Sequence, residues 1–202
     1  EQVPMVQSND MQDVFAVSSN DVYAVGRGGT ALHYDGVAWT QLTLPASVQF
    51  TDFFSVWVQG DGTVTITGDE GVLIQGTVAT GFSNIGSLAQ GGKLLGSWGS
   101  DLDSTLCLVG NTGLEGIAKA LIYKTQWKDQ GLPSTLHLQA VSGTSGLDIW
   151  AVGLGSVILH YDGLGWTQFD APVPGDLYTV WSKSPTEAYA AGQDGLVLRW
   201  DG

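Results

Sequence analysis

The chain has 202 residues, with twenty Asp and Glu against seven Lys and Arg, and a net charge of −13. That sign repels phosphate backbones and anionic bilayers, and the sequence lacks both a basic amphipathic stretch and an apolar run of spanning length, so nucleic-acid partners and direct membrane insertion are excluded. A single cysteine, Cys107, excludes a disulfide framework and a thiolate metal centre, and its setting in Thr105-Leu106-Cys107-Leu108-Val109 gives it the role of a small buried hydrophobe.

From the N-terminus, four short apolar runs separated by turn residues predict strands over 11–17, 21–25, 30–34 and 38–42, with turns at 18–20, 26–29 and 35–36. Asp35-Gly36 is expected to form a two-residue hairpin, since both of its positions must accept positive φ. The next unit lacks that Asp-Gly pair and runs from Gly71-Val72-Leu73-Ile74 into Gly81-Phe82-Ser83. The third carries an enlarged turn over 110–117 before Ala120-Leu121-Ile122-Tyr123. The fourth repeats the first closely: Asp148-Ile149-Trp150-Ala151-Val152-Gly153, Leu159-His160-Tyr161-Asp162-Gly163 and Trp166-Thr167-Gln168 answer Asp21-Val22-Tyr23-Ala24-Val25-Gly26, Leu32-His33-Tyr34-Asp35-Gly36 and Trp39-Thr40-Gln41.

A strand-end glycine recurs at Gly26, Gly68, Gly110, Gly153 and Gly192, a period of about 42 residues. Four antiparallel strands at this period predict an all-β fold, a β-propeller of five four-stranded blades closed near the termini. The expected domain is single, 1–202, with blades over 8–46, 50–86, 92–133, 136–174 and 175–202, the last joined by residues 1–7. Strands one to three occur five times and strand four only four times. The fifth blade is therefore three-stranded, completed by the N-terminal residues, or cut from a longer chain. Phe15, Trp57, Trp98, Val141 and Trp181 share one inner-strand position and are expected as plugs between blades, with Tyr23, Trp150 and Tyr189 in the core and Trp39, Trp127 and Trp166 on outer rims.

The stretch Ala24-Val25-Gly26-Arg27-Gly28-Gly29-Thr30-Ala31-Leu32-His33-Tyr34-Asp35-Gly36-Val37-Ala38-Trp39 resembles the repeat of bacterial propellers of the photosystem II stability and assembly factor type (YVTN/BNR-like). Such repeats pair a Val-Gly strand end, a Gly-Thr-apolar strand and an Asp-Gly turn before a Trp. The resemblance implies the fold and, from the secreted and lipid-anchored proteins that share it, an extracytoplasmic location. The Ser-x-Asp-x-Gly-x-Thr-Trp order of sialidase-like propellers is absent, so no glycosidase activity is implied.

His33 and His160 occupy the same place in two repeats and read as structural, and His137 stands alone. Asp10, Asp52 and Asp176 share the entrance to the innermost strand, where the third and fourth units have Lys93 and Leu136. These three aspartates are the candidate ligands for Ca²⁺, which takes about six to eight oxygens; the alternative, favoured on local chemistry, is that each caps its own turn. Asp69, Glu70 and Asp194 lie in the turns of the same face and complete the candidate binding set. The glycine-rich turns lead into no helix and carry no phosphate-loop Lys, and no nucleophile motif is present. The expected function is a non-enzymatic, extracytoplasmic module presenting a loop-rich face to a protein partner. The alternatives are a lectin with repeated pockets between blades and, more remotely, a hydrolase. No cofactor is expected beyond the candidate Ca²⁺. The start at Glu1 reads as a mature or excised segment.

Overall fold

A computed structural model of the chain describes residues 9–87, 91–113 and 116–202. The predicted contribution of residues 1–7 to the fifth sheet lies outside the described residues, as do Leu114 and Glu115 of the enlarged third turn. The chain divides into two compact units, Glu1–Leu94 and Leu95–Gly202.

Unit 1 holds two antiparallel sheets. The first runs β1 (Met11–Ser18), β2 (Asp21–Gly26), β3 (Ala31–Tyr34) and β4 (Trp39–Gln41), and the second runs β5 (Phe53–Val58), β6 (Val64–Gly68), β7 (Val72–Thr77) and β8 (Gly81–Ser87), each strand pairing with the next in sequence. The third sheet starts at the unit boundary with β9 (Lys93–Ser100) and continues through β10 (Thr105–Asn111), β11 (Ala118–Tyr123) and β12 (Trp127–Asp129). Unit 2 adds a fourth sheet, β13 (Leu138–Ser145), β14 (Asp148–Gly153), β15 (Ile158–Tyr161) and β16 (Trp166–Phe169). A fifth follows, β17 (Leu177–Ser184), β18 (Glu187–Gly192) and β19 (Val197–Trp200). Among the described residues the fifth sheet has three strands, not the four expected of every blade, and the N-terminal segment expected to complete it lies outside those residues. Among the described residues no helix is long and apolar enough to cross a membrane.

Alternation of side chains along each strand gives every sheet two faces. In unit 1 the second face of the first sheet, with Tyr23, Val25 and Ala31, meets the first face of the second sheet, with Val56, Val64, Ile66 and Ile74. Phe15 and Trp57 meet across this junction with ring centroids 4.7 Å apart and planes tilted by 59°. In unit 2 the fourth sheet presents Trp150 and Val152 to Val180, Ala188 and Ala190 of the fifth. Burial of each large apolar side chain contributes about 1.5–3 kcal/mol, so these junctions hold the sheets face to face.

Trp98 and Val141 are buried as expected of inter-sheet plugs, but Trp181 is 57% exposed. The fifth sheet is the last of unit 2, and no further sheet of that unit covers the face on which Trp181 lies.

The Asp-Gly hairpins also differ from the two-residue turn expected. Tyr34 pairs with Trp39 and Tyr161 with Trp166, so each loop holds four residues, and only the glycine, Gly36 or Gly163, has positive φ. Asp35 Oδ1 accepts the N–H groups of Val37 and Ala38 at 2.9 Å, and Asp162 Oδ1 does the same for Leu164 and Gly165. These amide bonds hold both carboxyls below the usual carboxylate range. The Tyr34 hydroxyl donates to the Gly36 carbonyl and Tyr161 to that of Gly163, while the Tyr ring rests against the following Trp at 5.4 Å.

Candidate functional site

The recurring glycine closes the turn-bearing end of each repeat. Gly26, Gly68, Gly153 and Gly192 pair with the first residue of the neighbouring inner strand, next to a β-bulge at Gln12, Phe54, Gln139 and Tyr178. The extra residue pushes the inner strand's entrance toward the glycine. A Cβ there would run into the carbonyl oxygen of Asp10, Asp52, His137 or Asp176, respectively. The backbones of Gly68, Gly153 and Gly192 are extended, near φ −167, −168 and −166, so close approach, not left-handed φ, demands glycine. Each of those four carbonyls then accepts the N–H of the residue after the glycine, at 2.8–3.0 Å.

Beyond the glycine the chain turns through two successive left-handed residues: Gly28-Gly29, Glu70-Gly71, Gly155-Ser156 and Asp194-Gly195. Such turns leave an amide N–H pointing outward as a site for an anion. In two repeats the next repeat supplies that anion. Asp52 Oδ1 accepts the Gly28 N–H at 2.9 Å, and Asp176 Oδ1 accepts the Gly155 N–H at 2.7 Å. The favoured expectation that these aspartates cap their own turns is thus corrected: they latch the turn of the preceding repeat. Between the second and third repeats the polarity is reversed, with Lys93 Nζ 3.5 Å from Asp69 Oδ2 and 5.1 Å over the Phe54 ring.

The structure places the six predicted residues in three settings. Asp52, Asp69 and Glu70 line one open hollow of about 390 Å³ in unit 1, together with Ser47, Gln49 and Phe50, a residue that is 82% exposed. Asp194 edges a smaller hollow of about 300 Å³ in unit 2, and Asp176 meets the same turn through Gln193, whose N–H its carbonyl accepts at 2.8 Å. Asp10 faces Arg27 at 3.9 Å, with its side chain 75% exposed. The candidate calcium set of Asp10, Asp52 and Asp176 is not borne out as a cation cage. Among the described residues no three His, Cys, Asp or Glu side chains gather to hold a metal, and the latching bonds take up an oxygen of both Asp52 and Asp176.

No protein-family model matches the sequence, and no curated protein matches it. Solved structures do. Virginiamycin B lyase from Staphylococcus aureus, in a catalytically inactive form with quinupristin, superposes at a TM-score of 0.77 and 11% identity over 100% of this chain and 73% of its own. The WD40 β-propeller domain of Doa1 gives 0.77 at 15% identity over 96% and 65%. YCF48 from Cyanidioschyzon merolae gives 0.63 at 11% over 100% and 84%.

The chain is a β-propeller repeat protein.

Its sheets are propeller blades, and at these identities the likeness carries the fold alone. Within the blades, several polar residues that escaped sequence reasoning hold neighbouring blades together. Asp13 Oδ2 accepts both the Ser55 hydroxyl and the Val56 N–H at 2.9 Å; burial raises the Asp13 carboxyl, and the bonds from Val56, Ser55 and Val14 only partly offset this. Asp103 Oδ2 accepts the Gly146 N–H at 3.0 Å. Burial opposes ionisation of Asp103, but bonds from Thr105, Ser100 and Gly146 outweigh it and hold the carboxyl below its usual range. Ser142 accepts the Ser182 N–H at 3.0 Å. The signal for Asp13 and Ser142 was present as a short polar residue inside an apolar strand, a position that requires a partner, whereas Asp103 lies in the turn between β9 and β10.

The repeated histidines are part of the scaffold, as expected. His33 stacks on Tyr23 at 4.5 Å with Nε2 2.8 Å from Asp21, and His160 stacks on Trp150 at 4.3 Å with Nε2 2.7 Å from Asp148. Thr144 also bonds Asp148. The fifth blade replaces the group by Glu187, Tyr189 and Arg199, with the Tyr189 hydroxyl 2.6 Å from Glu187. Cys107 is buried, and burial pushes its thiol up, away from nucleophilic use.

Proposed function

We propose that this propeller is a non-catalytic binding module that holds a basic, extended segment of a protein partner in the hollow of unit 1. The observation that carries the reading is the combination of Asp52, Asp69 and Glu70 with the exposed Phe50 around a space of about 390 Å³. Carboxylates on a rigid turn attract Lys or Arg, and an exposed aromatic ring supplies apolar area and a cation–π face. Glu70 is exposed and left-handed, φ 55, on a turn latched to the strand below it by the Asp69 N–H to Asp52 carbonyl bond at 2.9 Å. Support also comes from the protein partners named for similar propellers: one YCF48 structure, 16% identical at a TM-score of 0.56, holds a D1 peptide, and another match is a mitotic checkpoint complex.

The test is an array of extended peptides, matched in length and varying in Lys and Arg content, titrated with this chain at low and at physiological salt. Selective binding of basic peptides that weakens with salt, and falls about tenfold in Phe50→Ala and in Glu70→Asn, is expected. Asn is chosen because it tolerates the left-handed backbone. Equal binding of acidic and basic peptides, or retention of binding in both variants, would overturn the reading.

A further inference from the structure

One position on the second face is filled differently in blade three. Register sets Tyr23 opposite His33 in blade one and Trp150 opposite His160 in blade four, each a stacked pair whose histidine meets Asp21 or Asp148. In blade three the pair is Cys107 and Ile122, and Thr105 stands where the other two have Asp21 and Asp148. Lys128 lies opposite Ile122, in the place of Thr40 and Thr167. Smaller side chains thus replace the ring and the histidine, a lysine replaces a threonine, and the carboxylate is gone. Beside Ile122 a hollow of about 360 Å³ opens between blades three and four, wholly within unit 2.

Blade three supplies Lys124, Thr125, Gln126, Lys128 and Gln130 to this hollow, and Tyr161 and Leu164 of blade four close its other side. Among the described residues that line it there is no carboxylate, in a chain whose net charge is −13. The acids beside it in sequence are engaged. Asp129 pairs with Lys119 at 2.6 Å, on the face of β12 opposite to Lys128, and Asp162 accepts the N–H groups of Leu164 and Gly165. Lys124 Nζ donates to the Gly146 carbonyl at 3.4 Å, Gln130 Nε2 to the Lys128 carbonyl at 3.2 Å, and the Tyr161 hydroxyl to the Gly163 carbonyl at 3.0 Å.

An ammonium group donates only, whereas amide and hydroxyl side chains both donate and accept. The lining therefore offers more donors than acceptors together with positive charge, which selects a ligand rich in oxygen acceptors and carrying a carboxylate. An acidic peptide fits less well, because its backbone brings a donor for every acceptor and no exposed aromatic ring lines this hollow to anchor it, as Phe50 does in unit 1. A sugar ring matches the compact space and its side-chain amides and hydroxyl.

We propose that the hollow between blades three and four binds a sugar acid, its carboxylate on Lys124 and Lys128 and its ring hydroxyls on Thr125, Gln126 and Gln130. Rings fill the same position in blades one and four, so the site is not repeated there. It is independent of the acidic hollow of unit 1.

The test is a nuclear magnetic resonance titration of the isotope-labelled chain at low salt with a galacturonate trimer, the methyl ester of that trimer and a glutamate tripeptide. The acid trimer is expected to shift amides over residues 122–130 and 161–164, with the ester and the tripeptide each binding about tenfold more weakly or worse. Lys128→Ala should weaken the acid trimer about tenfold and Gln126→Ala about threefold, both with the parent's circular dichroism. Amide shifts absent from the hollow at millimolar trimer, equal affinity for acid and ester, tighter binding of the tripeptide, or full affinity in both variants would overturn the proposal.

Discussion

The junction between blades one and two and the junction between blades four and five are built on one plan and filled differently. Both carry the aspartate latch, Asp52 to Gly28 in one and Asp176 to Gly155 in the other, and both set a second face on a first face. The first combines aliphatic residues with Tyr23, Phe53, the Phe15–Trp57 pair and Phe82 from a fourth strand, and adds a buried carboxylate, Asp13, that bonds Ser55 and Val56. The second relies on rings, with Trp150 5.3 Å from Trp200 and Phe169 5.1 Å from Trp200, and a cavity of about 120 Å³ remains among them. The buried Trp150 Nε1 at this junction has no hydrogen-bond partner among the described residues. The difference separates what the repeat must keep, its backbone closure and latch, from what it can exchange, the filling between sheets.

The largest expected effect attacks the shared part. Gly68→Ala in unit 1 and Gly192→Ala in unit 2 force a Cβ into the carbonyl oxygen of Asp52 and Asp176, which only a backbone shift can relieve. Each should cost about 3 kcal/mol or more in urea unfolding. Gly165→Ala meets nothing within 4 Å, and should stay within about 0.5 kcal/mol of the parent. If Gly68 tolerates Ala and Gly192 does not, the two junctions do not share this closure.

Much of this plan was legible in the sequence. The glycine period marked the strand ends, and apolar alternation between turn residues located the strands, since burial on one face enforces both. The reason for the glycine was not legible, because the bulge that drives a carbonyl against it arises from pairing between strands and leaves no local mark. The Asp-Gly pairs misled for a related reason: Asp35 and Asp162 use their side chains to bind amides two and three residues on, which opens the loop to four residues without positive φ at Asp. In the candidate site, Asp52, Asp69 and Glu70 were found by repeat position, yet Phe50 was missed because it lies in a connecting segment with no counterpart to align. The role of Asp52 as a bond to the preceding blade needed coordinates, since two acceptors at equal sequence distance from several amides cannot be told apart by spacing.

A middle-sized effect separates the fillings. Asp13→Ala removes the carboxylate oxygen that accepts from both the buried Ser55 hydroxyl and the Val56 N–H, and should destabilise by about 2–3 kcal/mol. Ser142→Ala removes a single acceptor, that of the Ser182 N–H, and should cost about 1 kcal/mol. Equal losses in denaturant titrations would mean that the buried carboxylate gives the first junction nothing a hydroxyl does not give the second.

The smallest effect is one of pH, and its sign distinguishes Asp13 from the turn aspartates. Burial raises the Asp13 carboxyl in the folded chain, so between the usual carboxylate value and that raised value the native state holds more protons than the unfolded state. Stability contributed through Asp13 therefore falls as pH rises through this window and is recovered as pH falls back through it. Asp35, Asp103 and Asp162 act the other way: their carboxyls are held down, so their contribution is present above the usual value and is lost as pH drops below it toward their folded values. Subtracting the stability–pH profile of Asp13→Asn from that of the parent isolates the first behaviour, because Asn keeps one oxygen able to accept from both Ser55 and Val56, as Oδ2 does, but does not titrate. The difference should decline with rising pH in the mildly acidic range and be flat near neutrality. A difference that rises there instead would mean that the bonds from Ser55 and Val56 outweigh burial, and that the ionised Asp13 carboxylate helps to hold the first junction.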